Sequence, residues 1–145
     1  MNSPYLINGP ITDYWIKSQL FRFHQHHQTG AHAFFLGQVR ADPHKGTHVS
    51  AIEYSAYPEM IETVIHEIES ELFNHFNEIQ TIEIRHSTGL VKVGEVSLFV
   101  LISSAHRKPV FAALENCVEL IKHKLPVWKK ELYEDGSYNW VEPPL

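Results

Sequence analysis

The fold is decided by Glu95 to Lys130, which reads EVSLFVLISSAHRKPVFAALENCVELIKHKLPVWKK. As far as Ser103, this stretch barely alternates between polar and apolar side chains, a pattern typical of a central strand covered on both faces. Pro109 then opens a helix, because proline fits the first turn, and Pro126 ends it. The core positions of this helix are spaced by four, three and four residues: Val110, Leu114, Cys117 and Ile121.

Strands rich in β-branched and aromatic residues are predicted on both sides of this stretch. Those before it run from Ala31 to Arg40, Val49 to Tyr57 and Ile79 to His86, and Gly89 to Gly94 links the last of them to the central strand. Those after it, Val127 to Tyr133 and Tyr138 to Val141, flank an Asp-Gly turn signal and form a C-terminal β-hairpin. Strands mixed with helices and a hairpin indicate an α+β fold with a mixed or antiparallel sheet.

Two main helices are predicted, one opened by Pro109 and one that begins at Pro58, besides a helix that Thr12 caps. The apolar face of the Pro58 helix consists of Met60, Ile61, Val64, Ile65, Ile68, Leu72, Phe73 and Phe76. Glutamates take the solvent side. Gly37, inside the first predicted strand, marks either a bulge or a close approach of two backbones.

The composition limits the class of protein. The 145 residues suit a single domain, 1–145, and no apolar run approaches the roughly 18 residues of a membrane span. A formal net charge of -5 argues against general binding to nucleic acid. Met1 to Tyr5 has neither the basic flank nor the apolar core of a signal peptide, and the single cysteine excludes an internal disulfide, so we expect a cytoplasmic protein.

Positive charge is concentrated in one part of this acidic chain. Six of the twelve Lys and Arg residues lie between Arg107 and Lys130, which is how an anion pocket looks in a sequence. His106 and Arg107 follow the buried strand and precede the helix, where a guanidinium and unpaired backbone N–H groups are available to an anion.

Two lysines at the other end of that helix are further candidates. Lys122 borders the packed face of the helix, and Lys129 lies beyond the proline on the opposite strand face from Trp128. Both are therefore able to face one cavity. The alternative is that lysines near a helix C-terminus are solvated and only stabilise the helix dipole.

Histidines are also clustered, at His24, His26, His27 and His32. Histidine is a common zinc ligand, but this spacing matches no closed ligand set and no cysteine joins it. We therefore predict no metal site there and no cofactor.

Five short strings occur along the chain in one order. They are Phe35 to Arg40, Ile52 to Met60, Arg85-His86 with Gly89 and Val93 to Glu95, Ser103 to Arg107, and Pro126 to Glu131. Through them the chain, from about Gly30 to Glu142, resembles the large, catalytic subunit of molybdopterin synthase.

The resemblance implies an α/β hammerhead-type core, a homodimer of large subunits and a small ubiquitin-like subunit bound at each end. It further implies that the Gly-Gly thiocarboxylate at the small subunit's C-terminus supplies sulfur, which converts cyclic pyranopterin monophosphate into the dithiolene of molybdopterin. By motif position, Lys122 and Lys129 match the family's catalytic lysines. The matches to its substrate-binding residues are Arg40, His106 and Arg107.

The only cysteine supports an external sulfur source. A protein that carries sulfur as its own persulfide needs an accessible, reactive thiol, whereas Cys117 is in phase with the core positions of its helix. Two other classes remain open: a non-catalytic module that binds an anion or a metal, and a phosphotransfer or hydrolase enzyme. The second lacks a phosphate-cradling glycine loop, a paired carboxylate site and an activated serine signature.

Overall fold

The computed structural model describes residues 3–141. Residues 1–2 and 142–145 lie outside this range, and they include Glu142, at which the resemblance ends. Its helices are α1 Asp13–Phe23, α2 Pro58–His75 and α3 Lys108–Lys124. Its strands are β1 Leu6–Asn8, β2 Ala31–Gln38, β3 Pro43–His44, β4 Thr47–Ser55, β5 Ile79–Lys92, β6 Val96–Ser104, β7 Trp128–Tyr133 and β8 Tyr138–Val141. The α+β class, the two long helices and the C-terminal hairpin are confirmed.

The strands form one sheet in the order β2-β6-β5-β4-β7-β8, with β1 beside β5 and β3 beside β4. Neighbours along this order are antiparallel, as predicted. β5 joins two parts of the sheet, because Ile79 to His86 pairs with β6 and Gly89 to Lys92 pairs with β4. The point at which β5 changes partners positions the site described below.

β6 is the covered central strand that its sequence predicts. On one face, Phe99 and Leu101 pack with Phe23 of α1. On the other, Val100 and Ile102 belong to the main core beneath α2 and α3. Burial on both faces explains why polar residues do not alternate along this strand.

Two residues predicted for the apolar face of α2, Met60 and Phe73, are not buried. α2 fully buries Ile61, Ile65, Ile68 and Leu72. Met60 and Phe73 are instead 47% and 41% exposed. Each is adjacent in sequence to a buried position, and one residue turns a helix by about 100°, so their side chains leave the packed face.

β5 is longer than predicted. It continues through Lys92 instead of ending at His86, so Gly89 lies within a strand and not in a linking loop. Gly89 has a φ of 79°, and a Cβ there would lie 2.8 Å from Asn8 Oδ1 of β1, a strand that the sequence did not predict. The lack of a side chain at Gly89 therefore allows β1 to pack closely against β5.

Gly37 has both of the features predicted for it. The pairing of β2 with β6 shifts register between Gly37 and Gln38, and a Cβ on Gly37 would lie 3.1 Å from the Cβ of Leu98. The bulge ends regular pairing just before Arg40, which follows the strand. It therefore directs the end of β2 toward the site.

Candidate active site

A cavity of about 510 Å³ lies where β5 changes partners, a size suited to a small molecule. Its walls come from β4, β5, β7, the end of β2, the start of β6 and the last turn of α3. The charged residues that line it are Arg40, Asp42, Lys122, Lys129 and Glu131. The cavity thus draws on both parts of the sheet.

Strand alternation places Lys129 in this cavity and directs Lys130 away from it. Lys129 pairs with Tyr54 of β4, and both residues line the cavity. Lys130 lies on the opposite face of β7, where its Nζ is 4.2 Å from the ring centroid of Tyr138 and 5.6 Å from that of Trp140. Two adjacent lysines therefore have different surroundings.

The end of α3 supplies the second lysine. The helix ends at Lys124, two residues before Pro126, and the backbone N–H of Leu125 donates to the carbonyl of Ile121. Lys122 lines the cavity together with Ile121 and Leu125, whereas Lys124 lies 3.6 Å from the Glu71 carboxylate of α2. The prediction that Lys122 and Lys129 face one cavity is confirmed by this geometry.

Arg40 lies at the mouth of the cavity. Its guanidinium pairs with the carboxylate of Asp42 at 3.3 Å, and its side chain is 81% exposed. An exposed ion pair of this kind is weak. Arg40 can therefore exchange Asp42 for the anionic group of a ligand.

The pKa of Lys129 is lowered, first because the side chain is partly buried and second because Lys122 is close. The carboxylate of Glu131 opposes this effect and is itself held by the hydroxyl of Tyr133, which donates to Oε1 at 3.0 Å. A lysine with a lowered pKa exchanges its proton more readily near neutral pH. The cavity thus combines fixed positive charge with a group suited to proton transfer.

Four neutral polar side chains also line the cavity: Gln38, Tyr54, His86 and Ser97. The buried hydroxyl of Tyr54 donates to Ser97 Oγ at 3.0 Å, linking β4 to β6 across the point where β5 changes partners. The ring of Tyr54 also meets the imidazole of His86 edge-on, at 5.0 Å between centroids. These contacts fix the side chains on the cavity wall.

His106 and Arg107 do not lie in this cavity within one chain. They line a separate groove at the start of α3, together with Gly30, Ala105, Lys108 and Phe111. α3 contains 17 residues, which at 1.5 Å per residue places the two sites about 25 Å apart along the helix. The five basic residues that match the family's site therefore do not all meet within a single copy: Arg40, Lys122 and Lys129 line one cavity, and His106 and Arg107 line the separate groove.

The other residues singled out in the sequence, the cysteine and the clustered histidines, lie outside the cavity. Cys117 is completely buried, and burial, followed by the charge of Glu69, raises the pKa of its thiol to about 12. His26 and His32 pack on the ring of Phe23, at 5.1 and 5.7 Å between centroids. Among residues 3–141, no three or more His, Cys, Asp or Glu side chains are arranged to hold a metal. Over the same range, no helix is both long and apolar enough to span a bilayer.

His86 is a cavity residue that the sequence reasoning did not select. It continues the inward positions of β5, after Ile82 and Ile84 at intervals of two residues. A histidine in phase with buried isoleucines was a signal that it is buried. Its position in the cavity depends on β5 leaving β6 at this point to pair with β4.

The fold and the cavity together define an α+β protein with a cationic site suited to an anionic small molecule. Residues 12–124 match the family model described as MoaE protein. The chain belongs to the MoaE protein family. The match includes Lys122 and ends before Lys129.

Individual relatives support this family membership. The chain is 42% identical to the molybdopterin synthase catalytic subunit of Dictyostelium discoideum over 112 residues, which cover 77% of this chain and 70% of the relative. Its identity to the molybdopterin synthase catalytic subunit of a Nostoc species is 35%, covering 77% and 67%.

Solved structures extend the likeness to nearly the whole chain. The crystal structure of molybdopterin synthase from Staphylococcus aureus matches with a TM-score of 0.83 and 30% identity, covering 98% of each chain. A complex of subunits 1 and 2 of the molybdopterin-converting factor from Helicobacter pylori matches with a TM-score of 0.78, covering 94% of this chain and 88% of that one. Its identity is 20%, so it supports the fold alone.

Proposed function

We propose that this protein is the catalytic subunit of a molybdopterin synthase and acts in the biosynthesis of the molybdenum cofactor. In this reaction cyclic pyranopterin monophosphate receives the two sulfurs of the dithiolene in two transfers, each from the thiocarboxylated C-terminus of a small partner subunit. The observation that carries the proposal is the shared cavity of Lys122 and Lys129, with Arg40 at its mouth. Family membership supplies the reaction, and the cavity supplies groups suited to it.

The charges of the cavity match those of the two reactants. A thiocarboxylate and a phosphate ester are both anions, and cationic donors hold such groups through charge-assisted hydrogen bonds. The thiocarboxylate sulfur bonds to a pterin carbon in place of an oxygen substituent, which turns the acyl group into a thioester. Water then adds to the acyl carbon, negative charge develops on the carbonyl oxygen, and the acyl C–S bond breaks to release the carboxylate and leave the sulfur on the pterin. We assign Lys122 to the thiocarboxylate carbonyl and to acyl or proton transfer, and Lys129 to the developing charge.

The partner is a small sulfur-carrier protein with a C-terminal Gly-Gly thiocarboxylate. The need for a partner is supported by Cys117, because a completely buried thiol with a pKa of about 12 does not form a persulfide readily. We also propose that the protein acts in the cytoplasm.

We also propose a homodimer in which His106 and Arg107 of one copy complete the cavity of the other. A separation of about 25 Å within one chain is too large for both sites to hold one pterin. The groove beside them contains Phe111, which is 64% exposed and is the kind of apolar residue that an interface covers. A second copy therefore offers a way to bring the five basic residues together.

The test is reconstitution of the reaction with purified thiocarboxylated small subunit and pterin precursor, followed by oxidation of the product to a fluorescent pterin. Wild-type protein is expected to form product, and Lys122→Ala to slow its formation by at least about 100-fold, a typical loss for a group that acts in proton transfer or charge stabilisation. Lys124→Ala is the matched control, since Lys124 lies in the same helical turn and faces Glu71.

The outcomes separate the open classes of function. Product at the wild-type rate from Lys122→Ala would remove this lysine from the mechanism. Wild-type protein that binds the precursor but never forms product would be a binding module.

A further inference from the structure

His86 differs from the charged residues of the cavity because it is only 7% exposed, whereas Arg40 at the mouth is largely solvated. It lies opposite Leu98 at the last pairing between β5 and β6, just before β5 crosses to β4. Its imidazole therefore forms part of the inner wall of the cavity.

The hydrogen bond of the ring determines its tautomer. Nδ1 lies 2.8 Å from the backbone carbonyl oxygen of Ser87. A carbonyl oxygen can only accept, so Nδ1 carries the proton and donates it. Burial, with smaller contributions from the charges of Lys129 and Lys122, lowers the pKa of His86 to about 4. The imidazole is neutral at physiological pH, and Nε2 is consequently an acceptor without a proton.

Nε2 has no hydrogen-bond donor in the part of the chain that the structure describes, where the ring's one hydrogen bond is that of Nδ1. Among the described residues, the fully enclosed polar atoms without a partner are Ser87 Oγ and Ser103 Oγ, so Nε2 is open to the cavity. A ligand that fills the cavity displaces water from Nε2, which is unfavourable unless the ligand offers a donor in its place. The neighbouring hydroxyl of Tyr54 does not supply one, since it donates to Ser97. A molecule bound in the cavity is therefore the natural source of the missing donor.

The chemistry of the cavity identifies that donor. Protonated lysine and arginine side chains only donate, so in this form Arg40, Lys122 and Lys129 recognise the anionic groups of ligands. A neutral acceptor on the inner wall recognises an N–H group instead. A reduced pterin phosphate has both features, an anionic phosphate and a heterocycle with ring N–H and amino groups.

We propose that Nε2 of His86 accepts a hydrogen bond from an N–H group of the bound pterin and so orients the heterocycle in the cavity. The inference rests on the proposed function, because it assumes that the pterin is the substrate. It adds a substrate-binding residue to the three basic ones and gives it a separate role, the recognition of the ring system.

Two amide substitutions separate the functions of the two ring nitrogens. His86→Asn places an amide near the position of Nδ1, where it can still donate to Ser87, and removes the acceptor at Nε2. His86→Gln reaches the position of Nε2 and restores an acceptor there. Melting temperatures identify any loss of folding, and the steady-state kinetics of each variant are measured with thiocarboxylated small subunit.

We expect His86→Asn to raise the KM for the pterin about tenfold, the loss typical of one hydrogen bond, while kcat falls less than about twofold. His86→Gln should raise the KM less than about threefold. A second arm measures the affinity for small subunit with an ordinary carboxylate terminus, which cannot react. That affinity should change less than about twofold in the Asn variant.

Other results would overturn the inference. Equal KM values for wild type and both variants would show that Nε2 does not contact the substrate. Weaker binding of the small subunit with an unchanged KM would assign His86 to the partner's tail. Equal losses in both variants, accompanied by lower melting temperatures, would make the histidine structural. Wild-type protein without turnover would refute the proposed function itself and this inference with it.

Discussion

The two ends of α3 carry similar charges in different surroundings. At its start, His106, Arg107 and Lys108 are exposed along an open groove. At its end, Lys122 lines a cavity with the half-buried Lys129, and burial lowers the pKa of Lys129. Cations that form one cluster in the sequence thus occupy two sites in the folded chain, because a helix of 17 residues separates them.

The helix dipole affects the cations at the two ends of α3 in opposite ways. Lysines at a helix C-terminus are favoured by the helix dipole, whereas cations at a helix N-terminus oppose it. Arg107 occupies the N-cap of α3 and its side chain makes no capping hydrogen bond. A bound anion would relieve this unfavourable arrangement, which agrees with the assignment of Arg107 to substrate binding.

The largest expected effect tests the cavity at the end of α3. Lys129→Ala should reduce product formation by at least about 100-fold, because it removes a cation beside the developing charge. Lys130→Ala should reduce it less than about threefold, since Lys130 contacts aromatic rings on the other face of β7. Rates are measured by the fluorescent-product assay. Equal losses in the two variants would mean that the face of β7 does not decide the function of its lysines.

The second test asks whether the two ends of α3 act together across a dimer. Lys122→Ala and Arg107→Ala are each expected to be inactive as homodimers. In a heterodimer purified through two different tags, a shared site restores about half of the wild-type activity, because one cavity receives both defects and the other none. If each site lies within one chain, both cavities are defective and the heterodimer stays inactive.

The sequence predicted well what depends on local pattern. The proline that ends α3, the β-strand alternation that separates Lys129 from Trp128, and the unbroken apolar run of β6 all have local causes, and the structure agrees with them. The main misplacement has a non-local cause. His106 and Arg107 adjoin the helix that also carries Lys122, and sequence proximity suggested one pocket where helix length imposes two.

His86 illustrates the same limit. Its burial follows from its phase with Ile84 along β5, so the sequence contained that signal. Its place in the cavity depends on β5 continuing past Gly89 to pair with β4. The local pattern around Gly89 predicts a link between two strands, and a change of strand partner has no local pattern that would reveal it.

A third test concerns stability and singles out the inner wall of the cavity. The pKa of His86 is about 4 in the folded chain against an ordinary 6.5. Between these values the unfolded chain binds a proton that the folded chain does not, so the free energy of unfolding decreases as the pH falls through this window. From pH 7 to pH 4, wild type should lose about 3 kcal/mol more than His86→Asn.

Urea denaturation at several pH values measures the difference. Other groups titrate in the same window in both proteins, so the difference between the two curves isolates the contribution of His86. Curves that remain parallel from pH 7 to pH 4 would show that the imidazole is not buried as a neutral group.

The smallest expected effect tests how the cavity adjusts Lys129. Glu131 opposes the lowering of the Lys129 pKa, so Glu131→Gln should move that pKa to a still lower value. Glu115→Gln, on the exposed side of α3, removes the same charge away from the cavity and serves as the matched control. The titration of the Lys129 side-chain carbons is followed by NMR in each variant. A shift of equal size in both would indicate a response to net charge, whereas a shift confined to Glu131→Gln would indicate that the cavity itself controls protonation of Lys129.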